Sequence, residues 1–334
     1  MYTTNNTIFY VAGRSGGHIV PALTLAARHK KKHPQDITSF IATNTLLDKN
    51  ILRSASMIDN CYHMKLNNTP GRRIFAYPSF IYNLLRVCWQ TYKLFLCTRP
   101  KHVVSTGGYI GIPITFVAYM LNIPVTLYEL NAEPGRASKV IARFATTINC
   151  CFEHACSYFP KEKTRKAAYP IRFAPPRTPH KLPERFSASK KTVLILGGSQ
   201  GSLFINKAIK EFVINNTDRD KLQVIHQFGA ADKTNWKEFY ARYQIPALTF
   251  TFTREIDYYY NIADIVVCRS GAGTLFETLF FEKLCLTIPL ETRTTQHQVI
   301  NAQALHKEYP EKVMVIMQDK YQQLFDHLSN ALQK

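Results

Sequence analysis

Acid is scarce in this sequence. Its 334 residues carry 23 aspartates and glutamates against 42 lysines and arginines, a formal charge of +19. Such a surface favours anionic partners, whether phosphates, nucleic acid or acidic lipid headgroups. Long low-complexity runs are absent, and 46% of residues are apolar with only 19% charged. A disordered tail protein is therefore excluded, and there is apolar material for real cores. The opening MYTTNNTIFY has neither a basic n-region nor an apolar stretch of signal length; export is not expected, and the eight cysteines should be reduced in a cytoplasm. No apolar run crosses a membrane's width unbroken. The nearest, Arg73 to Arg99, is interrupted by Pro78, Asn83, Arg86, Gln90 and Lys93, which argues against a spanning helix. Basic residues beside aromatics there fit either a helix lying at a membrane interface or an ordinary buried helix with solvated cations.

Several chemical signatures are missing as well. The glycine run LGGSQGS (Leu196 to Ser202) has no lysine after its last glycine, so a Walker-type ATPase has little support. A dinucleotide enzyme needs an acid closing its second strand to hold the ribose; here ITSFIATN ends on Asn44, and Asp36 comes before the strand. Cys150, Cys151, His154 and Cys156 lack a paired CxxC framework, and adjacent cysteines in a strand point to opposite faces. The acidic string Asp218 to Asp220 sits in a polar stretch away from any glycine loop. No metal site and no cofactor are expected, and no RNA-recognition motif is present.

What the sequence does contain is alternation. Apolar β-like runs such as TIFYVA, KHVVSTGG and VTLYELN each lead into a helical segment, and TVLILGG and DIVVCRSG repeat the pattern in the second half. This grammar predicts an α/β fold with parallel sheets covered on both faces. The length exceeds the ~250 to 300 residues at which single cores split. The Pro-, Ser- and charge-rich FAPPRTPHKLPERFSASKK marks a linker. The expected organisation is a Rossmann-like domain over 1–173, a linker over 174–190, a second Rossmann-like domain over 191–316, and a C-terminal helix over 317–334 with the option of packing back on the first domain.

In open parallel sheets ligands collect at the carboxyl ends of strands, and every glycine cluster here ends a strand and opens a helix. The candidates are AGRSGGH (residues 12–18), STGGY (105–109), GGSQGS (197–202) and RSGAGT (269–274). Glycines let backbone approach a phosphate, and the following helix offers free N–H groups. Glu277 lies one helical turn beyond its glycine turn, where a carboxylate can accept from a diol such as ribose or serve only as a helix-start acid. Gln296, His297, Gln298 and Asn301 form a polar set suited to hydroxyl-rich ligands.

Taken in order, these motifs resemble the MurG family, whose members have the GT-B fold: two doubly wound domains facing a cleft. The matching segments are GRSGGHIVPALTLA, STGGYIGIP, YELNAEPGRASKVIARFAT, YPIR, GGSQGS, HQFG, FTREIDYYYNIADIVVCRSGAGTLFETL and HQVINA. The resemblance implies an inverting transfer of N-acetylglucosamine from UDP-N-acetylglucosamine to lipid I. It also implies a peripheral place on the cytoplasmic face of the inner membrane, against anionic lipid. It assigns donor contacts to Ser15, Gly16, Gly17, Asn131, Arg172, Ser199, Thr253 (through its backbone), Ala272, Gly273, Thr274, Leu275, Glu277 and Gln298. Arg14, Gly107, Gly108 and Tyr109 are candidates for the acceptor diphosphate. A base must take the acceptor proton; His18, with an ordinary pKa near ~6.5, is the first candidate and Glu129 the second. Arg14 stands where the family has glycine, so a left-handed backbone there would be strained. Tyr128, Leu130 and Tyr169 also depart from the family pattern. Competing readings are another GT-B sugar transferase or a UDP-N-acetylglucosamine epimerase, and a binding scaffold without catalysis.

Overall fold

A computed structural model describes residues 6–53, 55–66, 75, 77–174, 181–198, 201–253, 255–292 and 295–333. The chain divides into two compact units, 1–172 and 173–334. In the first, strands and helices alternate as β1 (Thr7–Val11), α1 (Gly16–Lys32), β2 (Ile37–Thr43), α2 (Leu46–Leu52), β3 (Asn60–Met64), α3 (Tyr77–Thr98) and β4 (His102–Ser105). They continue as α4 (Gly111–Met120), β5 (Val125–Glu129), α5 (Arg136–Phe144), β6 (Thr147–Cys150), α6 (Glu153–Cys156) and β7 (Thr164–Lys166). The strands form one parallel sheet in the order β3-β2-β1-β4-β5-β6-β7. Strand β1 is buried at all five positions, as expected for a central strand covered by helices on both faces.

The second unit repeats the plan. Its elements are β8 (Lys191–Leu196), α7 (Leu203–Asn215), β9 (Leu222–Gln227), α8 (Trp236–Arg242), β10 (Ala247–Phe250) and α9 (Ile256–Ile262). Then come β11 (Ile265–Cys268), α10 (Ala272–Phe280), β12 (Leu284–Thr287), α11 (Gln296–Glu308), β13 (Val313–Val315) and α12 (Gln323–Gln333). The sheet order is β10-β9-β8-β11-β12-β13, again parallel. In both sheets the chain order reverses beside the first strand, between β1 and β4 and between β8 and β11. All four glycine turns flank these two reversals, where open α/β sheets leave a crevice.

Helix α12 buries Leu324, Leu328 and Leu332 in the second unit's core with Val193, Phe212 and Ile316. The four-residue spacing puts the three leucines on one helix face. The linker's described end, 181–190, is also tied to the second unit: Phe186 is buried, and Ser187 exchanges two hydrogen bonds with the Gln223 side chain, at 2.9 and 3.1 Å.

Within the Arg73–Arg99 stretch the structure describes residues 75 and 77–99. Helix α3 buries only Val87, Thr91 and Phe95, a stripe at four-residue spacing that seats one edge on the unit, where Phe95 meets Phe9 at 5.0 Å. Ile81, Tyr82, Leu85, Trp89 and Leu96 are exposed, Leu85 by 63% and Trp89 by 57%, and Phe116, Tyr119 and Met120 of neighbouring α4 are exposed too. Helices α3 and α4 thus expose several large apolar side chains. Among the described residues no helix is long and apolar enough to cross a membrane.

Candidate active site

The first reversal is built around α1. Its N-cap Ser15 has an extended backbone, and its hydroxyl accepts the Gly17 N–H at 3.2 Å, which caps the helix. At the third position of the helix, half-buried His18 brings Nδ1 to 2.6 Å from the Thr106 carbonyl, while the Thr106 hydroxyl donates to the His18 carbonyl at 2.9 Å. A carbonyl only accepts, so Nδ1 carries the proton and a neutral ring holds its lone pair on Nε2. The loop after β1 and the loop after β4 are thus pinned to each other through one histidine.

Gly107 and Gly108 adopt φ of +95° and +86°, the region that favours glycine. Space is also tight at 107: a Cβ there would lie 3.3 Å from His18 Cε1 and 3.2 Å from Ser138 Oγ. Beyond Ser138 is Glu129, at the end of β5 and only 2% exposed. Its Oε1 accepts the Asn131 backbone N–H at 2.9 Å. Burial pushes the Glu129 carboxyl up to about 7, against the opposing pull of Ser138 and Asn131. His18, Gly107, Ser138 and Glu129 therefore form a continuous neighbourhood at the β4 and β5 ends. Tyr109 is half-buried and Arg172 is exposed at the end of the unit; the preceding segment is held by Arg28, whose Nη2 donates to the Ile171 carbonyl at 2.8 Å.

Arg14 does take the strained conformation that the sequence warns of, with φ +64°. A left-handed non-glycine residue costs roughly 1 to 2 kcal/mol. The turn is held by buried Asp48, whose two carboxylate oxygens accept the Arg14 N–H at 2.9 and 3.2 Å. Thr43 donates its hydroxyl to the same carboxylate.

The second reversal uses no titrating group in the same way. Gly197 and Gly201 are required by close approach: a Cβ on Gly197 would sit 2.3 Å from Ser202 N, and one on Gly201 2.4 Å from the Phe228 carbonyl oxygen. Ser202 caps α7 by accepting the Ile205 N–H at 3.3 Å. Ser199 lies outside the described residues. The loop is buttressed from β9, where Gln227 donates to the Gly198 carbonyl at 3.2 Å. Below it, buried His226 donates from Nε2 to Asn206 at 3.1 Å and accepts from Tyr240 at 3.0 Å. Burial pushes this histidine down to about 3, so it stays neutral and structural. Sequence reading missed it, and only the fold shows that its strand position faces the core.

Ala272, Gly273, Thr274 and Leu275 form the first turn of α10, whose N-cap Gly271 leaves the N–H groups without a side-chain cap. Half-buried Glu277 follows on the same helix and accepts from Tyr260 at 3.4 Å. Gln298 accepts the Leu290 N–H on its Oε1 at 3.1 Å, so its amide N–H groups are what it can offer a ligand. The Thr253 hydroxyl accepts the Glu255 N–H at 3.1 Å. Arg269 was also missed. Its Nε donates to Ser202 at 3.1 Å and its Nη1 to the Ile288 and Pro289 carbonyls and Gln318, tying both sides of the second reversal together. An arginine in the glycine turn CRSG was the available signal.

The other sequence candidates fall elsewhere. Asp218 to Asp220 precede β9 at the opposite edge of the sheet from the glycine loops, and Asp218 pairs with Lys221 at 3.1 Å. Among the described residues no group of three or more His, Cys, Asp or Glu side chains is arranged to hold a metal ion.

Residues 8–150 match the Glycosyltransferase family 28 N-terminal domain and residues 192–334 its C-terminal domain. The chain is 30% identical, over 303 residues, to a UDP-N-acetylglucosamine–N-acetylmuramyl-(pentapeptide) pyrophosphoryl-undecaprenol N-acetylglucosamine transferase of Anaeromyxobacter sp. (strain Fw109-5), with 88% of this chain and 76% of that one covered. The chain belongs to this transferase family, MurG. The Myxococcus xanthus (strain DK1622) member is 29% identical over 302 residues, covering 89% of this chain and 77% of its own. The MurG-family fold is equally plain in space: the Acinetobacter baumannii MurG crystal structure superposes with a TM-score of 0.76 at 21% identity, over 98% of this chain and 91% of that one.

Proposed function

We propose that this chain is an inverting hexosyltransferase. It moves N-acetylglucosamine from UDP-N-acetylglucosamine to the lipid-linked N-acetylmuramyl-pentapeptide acceptor, lipid I, and forms lipid II for peptidoglycan. The observation that carries this reading is the match of both halves to the transferase family, with a glycine loop on each side of each sheet reversal.

The chemistry follows from the residues. The acceptor hydroxyl attacks the anomeric carbon, the bond from that carbon to the diphosphate oxygen breaks with its electron pair, and a base takes the hydroxyl proton. Half-buried His18 suits the base better than Glu129. Its tautomer is set by Thr106, leaving Nε2 as the acceptor of the proton, whereas Glu129 is enclosed and engaged with Asn131. Negative charge growing on the departing diphosphate is stabilised by N–H groups at helix starts, with Arg172 as the cation. Ser199, Ala272, Gly273, Thr274, Leu275, Glu277 and Gln298 are assigned to the donor, as are Ser15, Gly16, Gly17, Asn131 and Arg172. Gly107, Gly108, Tyr109 and Arg14 are assigned to the acceptor. No cofactor is invoked.

The chain docks peripherally on the cytoplasmic face of an anionic membrane. The apolar side chains exposed on α3 and α4 support this, together with Lys93, whose ammonium lies 5.0 Å from the Trp89 ring centre, and the charge of +19. Aromatics and cations on one helix face suit the headgroup boundary.

The purified protein with labelled UDP-N-acetylglucosamine and a lipid I analogue should yield a disaccharide-linked lipid. Turnover of the donor to its epimer with no labelled lipid would sink the transferase reading.

A further inference from the structure

Behind the glycine loop of the second unit runs a chain of buried polar groups whose hydrogen bonds can point only one way. Asn206, on α7 and 1% exposed, donates from Nδ2 to the Phe228 carbonyl at 3.0 Å and to the Asp232 carboxylate at 2.6 Å. Against the penalty of burial, hydrogen bonds from Thr234 and Asn206 hold the Asp232 carboxyl below its ordinary range, so both partners only accept. The Asn206 amide therefore turns its nitrogen to them and its Oδ1 to His226. That oxygen needs a donor. The proton of the neutral His226 ring is thereby fixed on Nε2, 3.1 Å away, and Nδ1 is left to accept from the Tyr240 hydroxyl at 3.0 Å.

A buried polar network with each of these bonds made holds one arrangement, and this one ends at the loop. The Phe228 carbonyl that Asn206 grips is the atom against which Gly201 turns: a Cβ on Gly201 would lie 2.4 Å from that oxygen and 2.6 Å from Gly229 Cα. The turn itself is closed by the Gly201 N–H, which donates to the Gly198 carbonyl at 3.1 Å. Backbone so closely packed passes a shift of residues 228–229 directly to the loop. Asn206 is held from the loop's side as well, because its N–H donates at 2.9 Å to the carbonyl of Ser202, the N-cap of α7.

We infer that His226 is a positioning residue for the donor's diphosphate. By orienting the Asn206 amide it fixes the Phe228–Gly229 backbone against Gly201, and with it the approach of the loop's glycines to the phosphates. The inference rests on the transferase reading, in which this loop serves the donor.

The test compares UDP with uridine, which keeps the base and ribose and lacks the phosphates, by calorimetry on the full chain. His226→Phe keeps a ring in the core but cannot donate to Asn206, and Asn206→Ala removes the same link from the helix side. Each should weaken UDP binding about tenfold and leave uridine binding unchanged. His226→Gln, whose amide nitrogen can stand where Nε2 stands, should recover UDP affinity to within about threefold of the parent. Tyr240→Phe leaves the link to Asn206 in place; it should lower the melting temperature without altering the preference for UDP over uridine. A merely structural role would weaken both ligands in step with the melting temperature in every variant. That result, or unchanged UDP affinity in His226→Phe and Asn206→Ala, overturns the inference, and Asn206→Ala decides alone if His226→Phe does not fold. A parent that binds UDP no better than uridine would fail the donor reading itself, and the inference falls with it.

Discussion

The two units share a topology and differ in what they place at its reversal. In the first unit, β1 and β4 bring together a histidine with a defined tautomer and, through Gly107 and Ser138, a buried carboxyl pushed up to about 7. In the second, β8 and β11 are flanked by glycines, hydroxyls, amides and an arginine strut, and buried His226 stays neutral down to well below physiological pH. In the proposed transferase the same scaffold serves proton handling in one half and recognition of a charged, hydroxylated donor in the other. The contrast shows that a strand order supplies a place for a site, while the side chains after each strand decide its chemistry.

That contrast can be broken most sharply by paired substitutions. His18→Ala should lower kcat by about 10² to 10⁴-fold with little change in donor affinity by calorimetry. Glu277→Ala should instead weaken the donor about tenfold through lost hydrogen bonds and leave kcat at saturation nearly intact. Equal effects of both on kcat would erase the division of labour.

Glu129 sharpens the comparison through pH. Its folded-state pKa lies above the ordinary value of 4.5, at about 7, so the folded chain binds a proton that the unfolded chain has released. The stability this contributes is present below about 4.5 and lost as pH rises to about 7, on the order of 3 kcal/mol. Glu129→Gln should remove this slope and melt higher than the parent above pH 7. A parent stability that does not fall between those values would show that the carboxyl is better solvated than its burial implies.

The smallest effect expected is on membrane association. Leu85→Glu combined with Trp89→Glu should reduce co-sedimentation with vesicles of anionic lipid several-fold, leaving turnover of a water-soluble acceptor analogue unaffected. Retained vesicle binding would move the docking surface away from α3.

Long apolar strands followed by glycine were easy to read because their pattern is local. The runs TIFYV, TVLIL and IVVC announce buried central strands, and the glycine turns after them announce helix starts. Strands β3 and β7 were not legible: NCYHM and TRK are short, polar and largely exposed, and only pairing with β2 and β6 makes them strands. The candidate site divides the same way. His18, Glu129, Glu277 and Arg269 stand in recognisable motifs, whereas Asp48 holds the Arg14 turn from a position distant in sequence.

By itself, the sequence determined the α/β grammar, the basic surface and the glycine loops, because each depends on residues within one turn or one strand of each other. Only the tertiary structure decided that Nδ1 of His18 is the protonated nitrogen, that Glu129 lies far from its ordinary pKa, that α3 carries its apolar side chains outward and that His226 lies buried in the second unit. Tautomer, pKa and exposure are set by neighbours the chain brings together across tens of residues, and no local pattern encodes them.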